Sequence, residues 1–125
     1  MRGLGIDLCE VGRIERELKR GDAFLRRFFT NSERAYIASR GQMGAQSAAA
    51  MFAAKEAFLK AAGTGLREPF SLCEIEAVRQ ENGAPAYRFS GQTAAWVAQH
   101  RLRARLSLSH EGGMALAFCT LEEEN

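Results

Sequence analysis

The rhythm of apolar positions changes along the chain, and each change predicts an element. From Gln46 to Ala62 no Gly or Pro intervenes, and Ala, Leu, Met, Lys, Glu and Gln dominate; these are the residues with the best intrinsic helix propensity. At about 100° per residue, Phe52 and Leu59 share one side, Met51 and Phe58 a second, and alanines fill most of the remainder. A helix that is apolar nearly all round is wrapped by other elements. Gly63 stands where a left-handed C-cap residue is expected, with Thr64 and Gly65 turning the chain away.

The flanking segments alternate differently. Arg2–Leu8 reads as a short inner strand whose glycines let another backbone or a ligand come close. Val11 to Arg20 reads as a helix with Val11, Ile14 and Leu18 on one face and Arg13, Arg16 and Arg20 in a narrow arc opposite. Thr30-Asn31-Ser32-Glu33 is a capping-box signature that starts a helix to about Ser39, and Gly41 to Gly44 reads as a loop. Beyond Pro69 the texture turns to β. Phe70–Arg79 reads as one strand, Glu81-Asn82-Gly83 as a turn and Tyr87–Phe89 as the return strand. Gly91 to His100 reads as a short helix. Leu102–Ser109 alternates leucine and alanine with arginine and serine, and Met114–Leu121 pairs with it across Gly112-Gly113, which leaves His110-Glu111 at the hairpin tip. The order β-α-α-α-α-β-β-α-β-β predicts an α+β fold in one domain, 1–125, with an antiparallel sheet wrapped around a long central helix.

Composition narrows the class. With 46% hydrophobic and 26% charged residues the chain is an ordinary globular protein that can bury a modest core. It has no membrane-span-length apolar run and no signal-peptide pattern, so a cytoplasmic location and no membrane partner are expected. Cys9, Cys73 and Cys119 are too few and too scattered for a metal pattern and read as small hydrophobes in a reducing compartment. A net charge of +2 does not imply nucleic acid. Gly3-x-Gly5 lacks the third glycine and the βαβ context of a dinucleotide fingerprint.

Four charged positions carry the candidate chemistry. Asp7 sits in an otherwise apolar strand, either as a cap for the helix that follows or as a ligand. Lys55, Glu56 and Lys60 interrupt the central helix. Glu56 and Lys60, four apart, make an ordinary surface pair, or the three line a cleft in which Glu56 holds a cation and the lysines face phosphate. The Arg13, Arg16, Arg20 stripe, beside Phe24, Phe28 and Phe29, is either a solvated face or a dock for an acidic helix.

Taken together, Gly3-Leu4-Gly5-Ile6-Asp7 with Arg13-Ile14-Glu15, Phe29-Thr30-Asn31-Ser32-Glu33, and Phe52-Ala53-Ala54-Lys55-Glu56-Ala57 running on to Lys60-Ala61-Ala62-Gly63-Thr64-Gly65 resemble the motifs of the holo-acyl-carrier-protein synthases, the small 4′-phosphopantetheinyl transferases. The likeness spans essentially the whole chain. It implies transfer of phosphopantetheine from coenzyme A to a serine of apo-acyl carrier protein, with Mg²⁺, in fatty-acid biosynthesis. It implies metal-holding roles for Asp7 and Glu56, and places Lys60 against the transferring phosphoryl group. Coenzyme A contacts fall to Lys55, Gly63, Thr64, Gly65, Ser109 and His110, and carrier-protein contacts to Arg13, Arg16 and Arg20. Similar enzymes are trimers with sites shared between subunits, so a homotrimer is expected. Met51 stands where similar proteins often carry Arg, and residues 42–50 are poor in basic side chains, which leaves Arg40 and Arg67 as replacements. The competing reading is a non-catalytic module whose basic helix binds an acidic protein or nucleic acid; it gives Asp7, Glu56 and Lys60 no task.

Overall fold

The computed structural model describes residues 2–63, 65, 67 and 69–124. Its elements are β1 (Gly3–Glu10), α1 (Val11–Lys19), α2 (Ala23–Phe28), α3 (Asn31–Ser39), α4 (Gly44–Ala62), β2 (Ile75–Arg79), β3 (Pro85–Phe89), α5 (Gly91–Gln99), β4 (Leu102–Glu111) and β5 (Met114–Glu123). The α+β class and the order of elements are those expected. A three-stranded antiparallel sheet, β1-β5-β4, lies on one side of α4, and the β2-β3 hairpin lies on another.

Helix α4 is the axis of the core, with Ala48, Ala49, Ala53, Ala54, Ala57, Phe58 and Leu59 all buried. Gly63 ends it in the left-handed conformation, φ 82°, and its N–H bonds the Leu59 and Lys60 carbonyls. The alanines let β1 approach the helix backbone directly. A Cβ at Gly3 would lie 2.1 Å from the Ala61 carbonyl oxygen, and one at Gly5 only 1.9 Å from that of Ala57. The glycines of the first motif are therefore a packing requirement. Strand and helix run in opposite senses here, and two strand residues (about 6.6 Å) match roughly one helical turn. Asp7, two beyond Gly5 on the same face of β1, is thus carried to the turn of α4 before Ala57.

Three local expectations are corrected. Phe70–Arg79 is not one strand: Leu72–Glu74 forms a 3₁₀ turn, because the Glu74 carboxylate is drawn aside to accept the Thr93 N–H at 3.0 Å and the Thr93 hydroxyl at 2.9 Å, capping α5. Gly41–Met43 is a 3₁₀ turn leading into α4 rather than an open loop. His110 and Glu111 are paired within the sheet, opposite Ala115 and Met114, so the hairpin tip is Gly112-Gly113 alone, both at positive φ. The capping box at Thr30 and Glu33 is present as expected. Cys9 and Cys119 are buried and Cys73 is half-buried; all three thiols are free. Burial holds the Cys119 thiol up at about 11 and raises that of Cys9. No helix among the described residues is long and apolar enough to cross a membrane.

Candidate active site

Asp7 emerges from β1 toward α4, while its neighbours Ile6 and Leu8 point to the opposite, exposed face of the sheet. Lys60 Nζ donates to Asp7 Oδ1 at 3.0 Å and to the Ile6 carbonyl at 3.0 Å. Glu56 lies one turn before Lys60 on the same side of α4 and shares this neighbourhood. Its carboxyl is raised above the usual range, first by desolvation and then by the Asp7 charge, with Lys60 and Arg13 opposing. Ile6, Asp7, Leu8, Lys60 and Leu116 line a cleft of about 360 Å³. Two acids from opposite ends of the first half of the chain, an ammonium and a guanidinium are thus electrostatically linked here.

The chemistry of the donor set fits a hard divalent cation. Among the described residues no group of three or more His, Cys, Asp and Glu side chains could hold a metal ion, so any such ion would draw on few protein ligands. Mg²⁺ is commonly held that way, by one or two carboxylates, with phosphate oxygens and waters completing the shell. The Asp7 charge, which after desolvation raises Glu56, is what a bound cation would offset.

Lys55 does not join this cleft. It is fully buried (0% exposed) and its ammonium donates to Glu33 Oε1 at 2.7 Å and to the Leu72 and Ile75 carbonyls at 2.8 Å each. The expected phosphate contact from Lys55 is corrected: adjacent positions on a helix point about 100° apart, and this one points inward. Gly63 and Gly65 lie exposed just beyond Lys60, both with positive φ, while Thr64 lies outside the described residues. Ser109 and His110 sit at the far end of β4, on a different cleft of about 240 Å³ lined also by Tyr36, Arg40, Ser47 and Arg79. Within one chain the two clefts share no lining residue.

On α1 and its C-cap, Arg13, Arg16 and Arg20 are exposed, as the helical spacing implies. Arg16 pairs with Glu10 at 3.3 Å and Arg20 with Glu17 at 3.4 Å, exposed pairs that contribute little and that a partner's acid can replace. Arg13 leans over the Phe52 ring at 5.8 Å and acts on Glu56. That second role was not legible in the stripe, where all three arginines looked equivalent.

A family model described as the 4′-phosphopantetheinyl transferase superfamily matches residues 3–119. Holo-[acyl-carrier-protein] synthases from Methylobacterium sp. (strain 4-46) and Geobacter sp. (strain M21) are each 43% identical over 96% of this chain, covering 93% and 97% of their own lengths. The chain belongs to the holo-[acyl-carrier-protein] synthase family of phosphopantetheinyl transferases. Solved structures agree. The Neisseria meningitidis synthase superposes with a TM-score of 0.91 at 34% identity, covering 98% of this chain and 99% of that one. The Bacillus anthracis str. Ames synthase, solved in complex with CoA (3′,5′-ADP), gives 0.82 at 33% identity, covering 98% and 97%. In this transferase Asp7 and Lys60 meet at one cleft and Glu56 feels the charges of both, while Lys55, next to Glu56 in the motif, serves the core.

Proposed function

We propose that this transferase moves 4′-phosphopantetheine from coenzyme A to a serine of the apo-acyl carrier protein of fatty-acid biosynthesis in the cytoplasm, releasing adenosine 3′,5′-bisphosphate. The serine oxygen forms a bond to the phosphorus that bears pantetheine, the bond from that phosphorus to the bridging oxygen breaks, and the serine proton is lost to the surroundings. The observation that carries the reading is the Lys60–Asp7 contact at the cleft, with the Glu56 carboxyl close enough to feel both charges.

Asp7 and Glu56 would hold Mg²⁺, which when bound neutralises diphosphate charge as the leaving group departs. Lys60 stands ready to trade the Asp7 oxygen for a phosphoryl oxygen, as a fixed positive charge where negative charge develops. Gly63, Thr64 and Gly65 would offer backbone room for coenzyme A beyond Lys60. Ser109 and His110, with Arg40 replacing basic residues absent from 42–50, would contact it from a neighbouring subunit. The separation of the two clefts within one chain supports that division. So does the outer face of the sheet, where Leu4, Ile6, Leu8 and Phe118 form an exposed apolar surface suited to a homotrimer interface.

The deciding assay incubates the protein with coenzyme A, Mg²⁺ and apo-acyl carrier protein and weighs the carrier. A gain of one phosphopantetheine on the serine is expected; no gain with several apo-carriers contradicts the reading. Arg16→Glu with Arg20→Glu is expected to raise KM for the carrier about tenfold or more at low salt, with kcat nearly unchanged, because such charges steer association. An unchanged KM would remove α1 from the carrier contact. Phe118→Glu places a charge on the apolar face, where desolvation opposes assembly. Sedimentation should show monomers for this variant and trimers for the parent; a variant of unchanged size would exclude this face from the interface.

A further inference from the structure

Lys55 has the shape of an aiming device. All three ammonium hydrogens are used, on Glu33 Oε1 and on the carbonyls of Leu72 and Ile75. Glu33 is itself 1% exposed and accepts the Thr30 N–H on Oε1 and the Ala77 N–H on Oε2, each at 3.0 Å. One buried pair therefore ties α4 to the first turn of α3 and to the segment that enters β2. Burying two charges is costly, and apolar residues of similar volume often hold a core as well or better. What the pair adds is a directional anchor. Toward β1 the helix presents the small residues Ala57 and Ala61, so on the side that carries Asp7 little side-chain interdigitation fixes its rotation. The carboxylate of Glu56 stands roughly 6 Å from the helix axis, so a 20° rotation of α4 would swing it by about 2 Å. That is enough to undo a shared site, because misplacement on the order of 1 Å costs roughly a hundredfold in rate.

We propose that Lys55, clamped by Glu33 and by the Leu72 and Ile75 carbonyls, is a positioning residue that fixes the rotation of α4 and so aims Glu56 at Asp7. The inference rests on the Asp7–Glu56 reading of the site and assigns Lys55 no contact with coenzyme A.

The test compares Lys55→Met, the double variant Lys55→Met with Glu33→Gln, and Glu56→Gln, each below the melting temperature of the least stable protein. Lys55→Met strands the Glu33 charge and is expected to melt well below the parent; the double variant removes that charge and should recover most of the loss. Both are expected to transfer at least tenfold more slowly and to need at least tenfold more Mn²⁺ for half-maximal rate. The KM for coenzyme A should stay within twofold. Binding of Mn²⁺ in the presence of coenzyme A, followed by electron paramagnetic resonance, should weaken in parallel. A double variant that regains the parent rate along with its stability overturns the proposal, since Lys55 would then serve the fold alone. A rise in KM for coenzyme A with unchanged Mn²⁺ dependence overturns it too. If Glu56→Gln transfers normally, the site reading itself has failed, and that result is distinct from either.

Discussion

Glu56→Gln is expected to slow transfer by about a thousandfold, roughly 4 kcal/mol of barrier, while leaving the fold intact and raising the melting temperature of the metal-free protein at neutral pH. The two effects have one origin. The Glu56 carboxyl is raised in the folded chain, chiefly by desolvation and then by Asp7. A group raised on folding contributes stability that is fully present below its unfolded value and is lost as pH climbs through the folded one. Once ionised, Glu56 carries its charge in a place that disfavours it, a cost that the proposed cation site would account for. Gln keeps the shape without the charge. Melting curves from pH 4 to pH 8 with chelator present should show the variant above the parent at pH 8, the gap closing as pH falls toward the carboxylate range. A variant less stable than the parent at pH 8, or one with normal turnover, contradicts this.

Gly5→Ala is expected to destabilise the protein by about 3–5 kcal/mol and to reduce transfer at least a hundredfold in whatever fraction stays folded. The added carbon would lie 1.9 Å from the Ala57 oxygen, 2.7 Å from the Ala61 nitrogen and 2.9 Å from the Ala57 carbonyl carbon. All three atoms are helix backbone, so no side chain can swing aside, and β1 must lift off α4. Asp7, two residues along the same strand face, lifts with it. Gly12→Ala is the matched control. Its nearest neighbours are side-chain atoms at 3.5 and 3.6 Å, and it lies within α1, so alanine there should be neutral or should stabilise by about 0.5–1 kcal/mol. Denaturant midpoints and rates for the two variants decide the matter; equal midpoints would mean β1 tolerates the displacement.

The meeting of Asp7 with the central helix was legible through the family resemblance, and the structure supplies its local reason twice over. Glycines two and four residues before the aspartate permit backbone contact, and a helix with alanine at 53, 57 and 61 receives it. The capping box, the Gly63 stop and the alternating β4 were legible for similar local reasons. Lys55 was misread because a motif lists residues in a row while a helix spreads them around an axis. Glu56 and Lys60 are only about 40° apart in projection, whereas Lys55 and Lys60 differ by about 140°. The spacing thus held a warning, but nothing local named Glu33, twenty-two residues earlier, as the partner. The 3₁₀ turn at Leu72–Glu74 was hidden for the same reason, since Glu74 leaves the strand pattern to serve Thr93. Arg13 looked like one of three equal arginines until Phe52 and Glu56 were found beside it.

The most direct test is a crystal of this transferase grown with coenzyme A and Mn²⁺, read by anomalous scattering. A single metal peak bridging the carboxylates of Asp7 and Glu56 and an oxygen of the coenzyme A diphosphate is the result expected here. A peak held by other residues, or by the diphosphate with both carboxylates turned away, would contradict the site at its foundation.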